Sequence, residues 1–377
     1  MIHFLAPAGQ DNIPEYLGLW GRDLAERCRI LDYESLPLQT RFDRGAYVLT
    51  SLDRLSPLQE RLLGELHRRL SETAGYRILN DPVRTLRRLD LLTELWRLNL
   101  NDFRGVRAIA DLTHLRYPVF VRSERSHEGA LSPLLHSPRE VEASIGRALL
   151  QGYRLGDLLV VEFCETVDAD GLYRRYAAFI VGRRIISRGL ERGRNWIAKR
   201  YQSEFCRAMV LEERDYVFTN PHEAQLAGIF EIARVDYGRI DYSMKDGRVQ
   251  TWEINLAPTI GRGLGPTNRQ IPDELQPIRM DTKRHFYARF REAWEAVDLA
   301  ADGQPAVSIV LDPGAIRATR PPEPGRKRWL VSLAKVLHPA RPLLLALARP
   351  LFPLLGGLAR LAAARQRGRS TQSGRAS

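Results

Sequence analysis

Asp241, Glu253 and Asn255 are three hard oxygen donors set in an apolar, aromatic stretch, VDYGRIDYSMKDGRVQTWEINLAPTI, over residues 235–260. Such donors suit a magnesium ion bound together with phosphates. To act on one ion they must share a face. The stretch reads as two strands, VDYGRIDY and RVQTWEI, joined by a polar turn containing Asp246 and Gly247, a strong hairpin signal. Strand alternation puts Glu253 and Asn255 on the same side of the second strand. A two-residue Asp-Gly loop pairs Asp241 with Trp252 and sends it to the other face. A three-residue loop, Lys245-Asp246-Gly247, pairs Met244 with Arg248 and brings Asp241 onto the face of Glu253; we expect the second. Two acids and an amide also suit the solvated side of an arbitrary hairpin, but here they interrupt apolar strands and are followed by Pro258.

The elements around this hairpin alternate. Ile2 to Leu5 read as a first strand, followed by a helical pattern through Tyr16, Leu17, Leu19, Trp20, Leu24 and Cys28 and a strand at Ala46 to Leu49. Ser56-Pro57 starts a helix carrying Leu58, Leu62, Leu63, Leu66 and Leu70, and Tyr76 to Leu79 give the next strand. This predicts a small α/β domain over residues 1–79 without a glycine-rich phosphate loop. Asn80-Asp81-Pro82 opens a second unit: a helix near 85–98, the strand Tyr117 to Arg122, a polar loop from Ser123 to Leu131, and a helix from Pro138. Leu158 to Phe163 is an apolar strand broken by Glu162, and Tyr173 to Val181 turns at Gly182-Arg183 into Arg184 to Ser187. A helix from about Pro221 to Ala233 leads into the hairpin, and a long one spans about Pro272 to Leu299.

The order Asp, turn, Glu-x-Asn-x-x-Pro, preceded by Asn-x-Pro, a YPVFVR strand and a VVEF strand, resembles the ATP-grasp superfamily. The likeness is to its carboxylate-amine ligases and to the glutathione synthetase ATP-binding domain, and it covers residues 80 to about 265. It implies an α/β (α+β) fold: an N-terminal Rossmann-like pre-ATP-grasp domain, an ATP-grasp domain over 80–300 in two lobes with a hinge near 162–165, and a basic helical C-terminal tail. It implies ATP and Mg2+ as cofactors, with the metal on Asp241, Glu253 and Asn255. Arg122 falls where the family usually has a lysine for the α and β phosphates, a bulkier group and not a neutral exchange. The lysine of the helix after Asn-x-Pro is also missing; Arg87 or Arg88 stands nearest. Glu162, Phe163 and Cys164 fall near adenine and Glu165 near ribose, although Glu162 alone equally suits an edge-strand acid. Arg175, or its neighbour Arg174, falls where the family contacts the transferred phosphate, and Lys199 lies where relatives place further phosphate contacts. Gly261, Gly263 and Gly265 are not a dinucleotide fingerprint, because Pro266 follows; in that loop Arg262 is a candidate grip for a substrate carboxylate.

Charge and composition narrow the partners. The 377 residues carry a formal charge of +12, but eleven of the 57 Lys and Arg lie in residues 324–377, which contain no acid, leaving 46 basic against 45 acidic residues elsewhere. No basic surface for nucleic acid is indicated on the body. Cys28, Cys164 and Cys206 have no metal-ligand spacing and suggest a reducing compartment, and MIHFLAPAGQ lacks the features of a secretory signal, so we expect a cytoplasmic protein. Residues 301–325 read as a linker and 365–377 as disordered. Between them, 326–364 form a basic, leucine-rich helical segment whose apolar runs are too short to span a bilayer. It suits an anionic membrane surface, which would make the protein peripheral on the inner face of the membrane, or packing on the body or on a second subunit of a homodimer. The expected activity is ATP-dependent activation of a small-molecule or peptide carboxylate as an acyl phosphate, captured by an amine or thiol. The alternatives are a small-molecule kinase on the same fold and a non-catalytic nucleotide-binding scaffold.

Overall fold

A computed structural model describes residues 1–10, 12–125, 129–197, 206–261, 271–299, 305–311, 346 and 348–373, with backbone alone after 363. In chain order the strands are β1 (Ile2–Ala6), β2 (Cys28–Asp32), β3 (Arg41–Phe42), β4 (Gly45–Leu49), β5 (Tyr76–Leu79) and β6 (Gly105–Arg107). They continue with β7 (Val119–Ser123), β8 (Leu158–Glu162), β9 (Tyr173–Val181), β10 (Arg184–Gly193), β11 (Tyr237–Lys245) and β12 (Arg248–Asn255). The helices are α1 (Asn12–Leu19), α2 (Pro57–Ser71), α3 (Arg88–Arg97) and α4 (Pro138–Leu150). After them come α5 (Arg207–Thr219), α6 (Glu223–Ala233), α7 (Gln276–Val297) and α8 (Phe352–Ser373).

Two compact units follow from this order. One comprises Met1–Leu95 with Glu165–Arg320, the other Trp96–Cys164 with Pro321–Ser377. The first unit holds a parallel sheet ordered β2-β1-β4-β5 and an antiparallel sheet ordered β10-β9-β11-β12. Its apolar core is continuous across the two sheets because α7 presents aromatic rings to both: Phe290 stands 5.1 Å from Phe179 of β9, and Trp294 stands 5.0 Å from Phe4 of β1. Cys28, read as a helix end, opens β2. The short parallel strand β2 is half exposed, so its sequence has little of the apolar run that betrays a buried strand.

Asn80 locks β5 to β11. Its side chain donates to the carbonyls of Leu49 at 3.0 Å and Tyr237 at 2.8 Å and accepts from the amides of Asp236 at 2.9 Å and Tyr237 at 3.0 Å. Its backbone takes φ of +66°, a left-handed conformation that asparagine tolerates better than most side chains. We expect Asn80→Ala to destabilise the chain by about 2 kcal/mol, since three buried backbone groups and one part-buried one lose their partner. Urea unfolding of the two proteins measures it.

The second unit is an antiparallel sheet ordered β6-β8-β7 with α4 against it, cored by Val119, Val121, Ile145 and Val160. The tail joins this unit. Helix α8 lies on α4 at backbone contact: a Cβ at Gly356 would sit 2.1 Å from the Glu142 carbonyl oxygen, and one at Gly146 2.0 Å from that of Phe352. Phe352 is buried beside Arg147, and Arg360 donates to the Ala110 carbonyl at 3.2 Å. The described part of the tail, α8, therefore packs on its own chain through one face. Gly356→Val should push the helices apart at a cost of about 1–3 kcal/mol, visible as faster tryptic cleavage at Arg360. Among the described residues no helix is long and apolar enough to cross a membrane.

Candidate functional site

The hairpin reaches the expected face by a different route. Its loop has two residues, Asp246 and Gly247, with φ of +51° and +73°, and Lys245 pairs with Arg248. Both positive angles belong to the mirror-image turn that Asp-Gly favours. The three-residue loop is thus incorrect. The register instead slips beyond Tyr242–Thr251: Trp252 bulges out, and Asp241 comes opposite Glu253. The Trp252 indole donates to Ser243 Oγ at 2.9 Å, and that hydroxyl donates to the Arg174 carbonyl at 2.7 Å, fixing the bulge. Beyond it Arg239 pairs with Asn255, so Arg239, Asp241, Glu253 and Asn255 form two facing pairs on one face of the sheet.

Arginines hold both carboxylates. Arg239 forks onto Asp241, Nε at 2.8 Å from Oδ1 and a terminal nitrogen at 2.9 Å from Oδ2. Arg175 of β9 has a terminal nitrogen 4.0 Å from Asp241 Oδ2 and is hydrogen-bonded to Glu191 across the β9–β10 pair. Arg88 donates to Glu253 Oε2 at 2.6 Å, while Asn255 Nδ2 lies 3.2 Å from Glu253 Oε1. Burial opposes the charges of Arg175 and Arg239, but the carboxylates outweigh it and raise both guanidiniums above their ordinary values: Glu191 and then Asp241 for Arg175, Asp241 for Arg239. Asp241 and Asn255 are buried.

Local structure explains each placement. The Leu86 amide donates to the Ala233 carbonyl at 2.9 Å, and the Thr85 hydroxyl to that of Arg234 at 2.9 Å. The start of α3 is thereby tied to the end of α6, and Arg88 meets Glu253. Arg87 turns away to Glu60 at 2.8 Å. Arg174, on the opposite side of β9 from Arg175, is held by Asp168 at 2.7 Å and Glu212 at 2.9 Å. Arg239 is the residue the sequence reading missed. It stands two positions before Asp241 on a strand, so alternation alone puts it on the same face.

The donor set fits a hard divalent cation. Among the described residues no group of three or more His, Cys, Asp or Glu side chains could hold a metal, so the set consists of two carboxylates and one amide. Magnesium uses few protein carboxylates when phosphates and water complete its shell. Both Asp241 oxygens and Glu253 Oε2 accept from arginines, and Glu253 Oε1 from Asn255 Nδ2; a carboxylate oxygen has two lone pairs.

The other candidates belong to neither β11 nor β12. Glu165 belongs to the first unit, where it accepts from the Val167 amide at 3.3 Å and bonds Tyr173, whose phenol is pushed up to about 12 by burial and by that carboxylate. Arg122, Glu162, Phe163 and Cys164 belong to the second unit. Arg122 is buried on β7 opposite Leu159. Glu162 is not an edge-strand acid: β8 is the central strand, and the side chain is 1% exposed. Its carboxylate accepts from Arg104 Nε at 3.1 Å, from the Arg116 amide at 2.9 Å and from two nitrogens of the Arg116 side chain at 3.1 and 2.8 Å. That carboxylate is committed to a structural clamp. The Glu162 and Phe163 amides bond the Arg104 and Pro118 carbonyls at 3.0 and 2.9 Å. Lys199 and Arg262 lie outside the described residues.

Neither a search with protein-family models nor a search of curated proteins returns a match. Solved structures similar to the chain are ATP-grasp and D-alanine–D-alanine ligases. D-alanine–D-alanine ligase from Bacillus anthracis complexed with ATP is 12% identical, with 77% of this chain and 98% of that chain covered and a TM-score of 0.39. The RimK domain ATP-grasp protein from Sphaerobacter thermophilus is 15% identical, with 76% and 98% covered and a TM-score of 0.41. The ATP-grasp ligase PsnB complexed with its minimal precursor is 12% identical, with 76% and 99% covered and a TM-score of 0.43.

Proposed function

We propose that this chain is an ATP-grasp ligase that activates a substrate carboxylate with ATP and joins it to an amine or thiol. The observation that carries this reading is the pairing of Asp241 with Glu253 across β11 and β12, with Asn255 and Arg239 on the same face. Asp241, Glu253 and Asn255 would hold magnesium, which screens phosphate charge when bound. Arg175 is the proposed contact to the transferred phosphate, and Arg239 a second guanidinium beside it, each with N–H groups suited to phosphoryl oxygens. The chemistry balances as two displacements. The substrate carboxylate attacks the γ-phosphorus and ADP leaves; the amine or thiol then attacks the acyl carbon, and phosphate leaves as a proton is lost. Arg262 is proposed to grip the substrate carboxylate and Lys199 a phosphate.

For the second unit, Arg122, Phe163 and Cys164 are proposed nucleotide residues on the sequence resemblance, and Glu165 of the first unit a proposed ribose contact. Glu162 is proposed beside adenine through its backbone, while four hydrogen bonds occupy its carboxylate, which positions the end of β8. Two points favour a nucleotide-binding scaffold as a second reading: the Arg239 fork engages both Asp241 oxygens, and Arg122 stands where the resembling family usually has a lysine. ADP release by the full chain with MgATP across a panel of carboxylates separates these two readings from each other and from a kinase. Release that requires an added amine or thiol supports the ligase, release with a hydroxyl substrate alone supports a kinase, and binding without release supports the scaffold.

A further inference from the structure

We propose that the outward face of α8 docks the protein on an anionic lipid surface. The inference stands apart from the ligase reading, because it uses only the second unit. Helix α8 has two apolar faces with different fates. Phe352 and Gly356 lie against α4, with Gly356 at backbone contact distance. On the other side Leu354, Leu355, Leu358 and Leu361 are 59%, 36%, 54% and 61% exposed, and Leu351, just before the helix, is 53% exposed. At about 100° per residue these four helical leucines fall in a stripe about 120° wide, turned away from Phe352 and Gly356. Single exposed leucines are ordinary on a protein surface, but a continuous stripe marks an interaction face.

Charge chooses the occupant. Residues 324–377 contain eleven Lys or Arg and no Asp or Glu. A second copy laid against this stripe would bring two such segments together, like charge against like. A bilayer with anionic headgroups accepts both features at once: leucines enter the headgroup boundary and arginines meet lipid phosphates. The helix lies in the surface plane, since no described helix is long and apolar enough to cross. Arg360 takes no part, being held by Ala110 and paired with Glu142 at 3.6 Å.

The test is sedimentation of the full-length protein with vesicles of phosphatidylcholine alone and of phosphatidylcholine with phosphatidylglycerol. The protein should sediment with the anionic vesicles and much less with the neutral ones, and raising salt should release it by screening. The double substitution Leu354→Asp and Leu358→Asp should weaken vesicle binding by about ten-fold or more, because charge replaces buried apolar area. Both leucines are exposed along an open groove that they share with Ile109 and with Arg139 and Glu142 of α4, and an unchanged melting temperature would check that the fold persists. Absence of sedimentation with anionic vesicles would overturn the proposal. So would binding that the double substitution leaves intact, or a dimer that the same substitutions dissolve without vesicle binding.

Discussion

Replacing Glu253 with Gln is expected to lower ATP-dependent turnover about 100-fold and to raise the magnesium concentration needed for half-maximal rate by about ten-fold or more. Glu253 is one of only two carboxylates on the β11–β12 face, so the change removes half of the anionic charge facing the proposed cation. It also leaves Arg88 without its 2.6 Å carboxylate partner. The lost ion pair destabilises the chain in its own right, because a buried guanidinium is left against a neutral amide. The magnesium titration separates the two effects: weaker folding alone leaves the half-saturating magnesium concentration where it was. Asp241→Asn should behave alike, with a larger fall in stability, since Arg239 forks both Asp241 oxygens. Steady-state ADP release at varied magnesium, beside urea unfolding, checks both variants.

The second large effect lies away from the chemistry. Glu162→Ala removes a carboxylate that gathers donors from Arg104 and Arg116 at the end of β8. Breaking a fully buried ion pair costs about 3–5 kcal/mol, and hydrogen bonds to a charged group contribute about 1.5–3 kcal/mol each. Both arginines are partly solvent-exposed and regain water when released, so the expected loss is nearer about 3 kcal/mol. Glu162→Gln keeps acceptors and part of the geometry and should lose less. Urea unfolding with the slope held common measures the difference. A loss below about 1 kcal/mol would mean that the clamp is a surface pair of ordinary size.

How far the sequence revealed this arrangement depended on the kind of signal. Strand alternation and the Asp-Gly turn were enough to bring Glu253 and Asn255 to one face, because both are local rules. The link to Asp241 was harder. A strict period of two with a two-residue loop puts Asp241 on the wrong side, and only the bulge at Trp252 restores it. A bulge is set by packing, here by the Trp252–Ser243 hydrogen bond, and leaves no periodic trace. Arg87 and Arg88 were indistinguishable as neighbours, and the α3–α6 tie chose between them. Helix α5 escaped notice because Glu212, Glu213, Arg214 and Asp215 interrupt its apolar positions, leaving Val210, Tyr216 and Val217 to bury it. The tail was readable as leucine-rich and basic, but not its contact with α4. That contact needs glycines on two helices far apart in the chain, Gly146 and Gly356.

The most direct test of the central claim is calorimetric titration of the full chain with ATP, with and without magnesium, beside the Asp241→Ala and Glu253→Ala double variant. Magnesium-dependent nucleotide binding by the wild type, lost or made independent of magnesium in a folded double variant, is the predicted result. Magnesium-dependent binding of equal strength in both proteins, or no nucleotide binding by the wild type, would contradict a metal–phosphate site on the β11–β12 face.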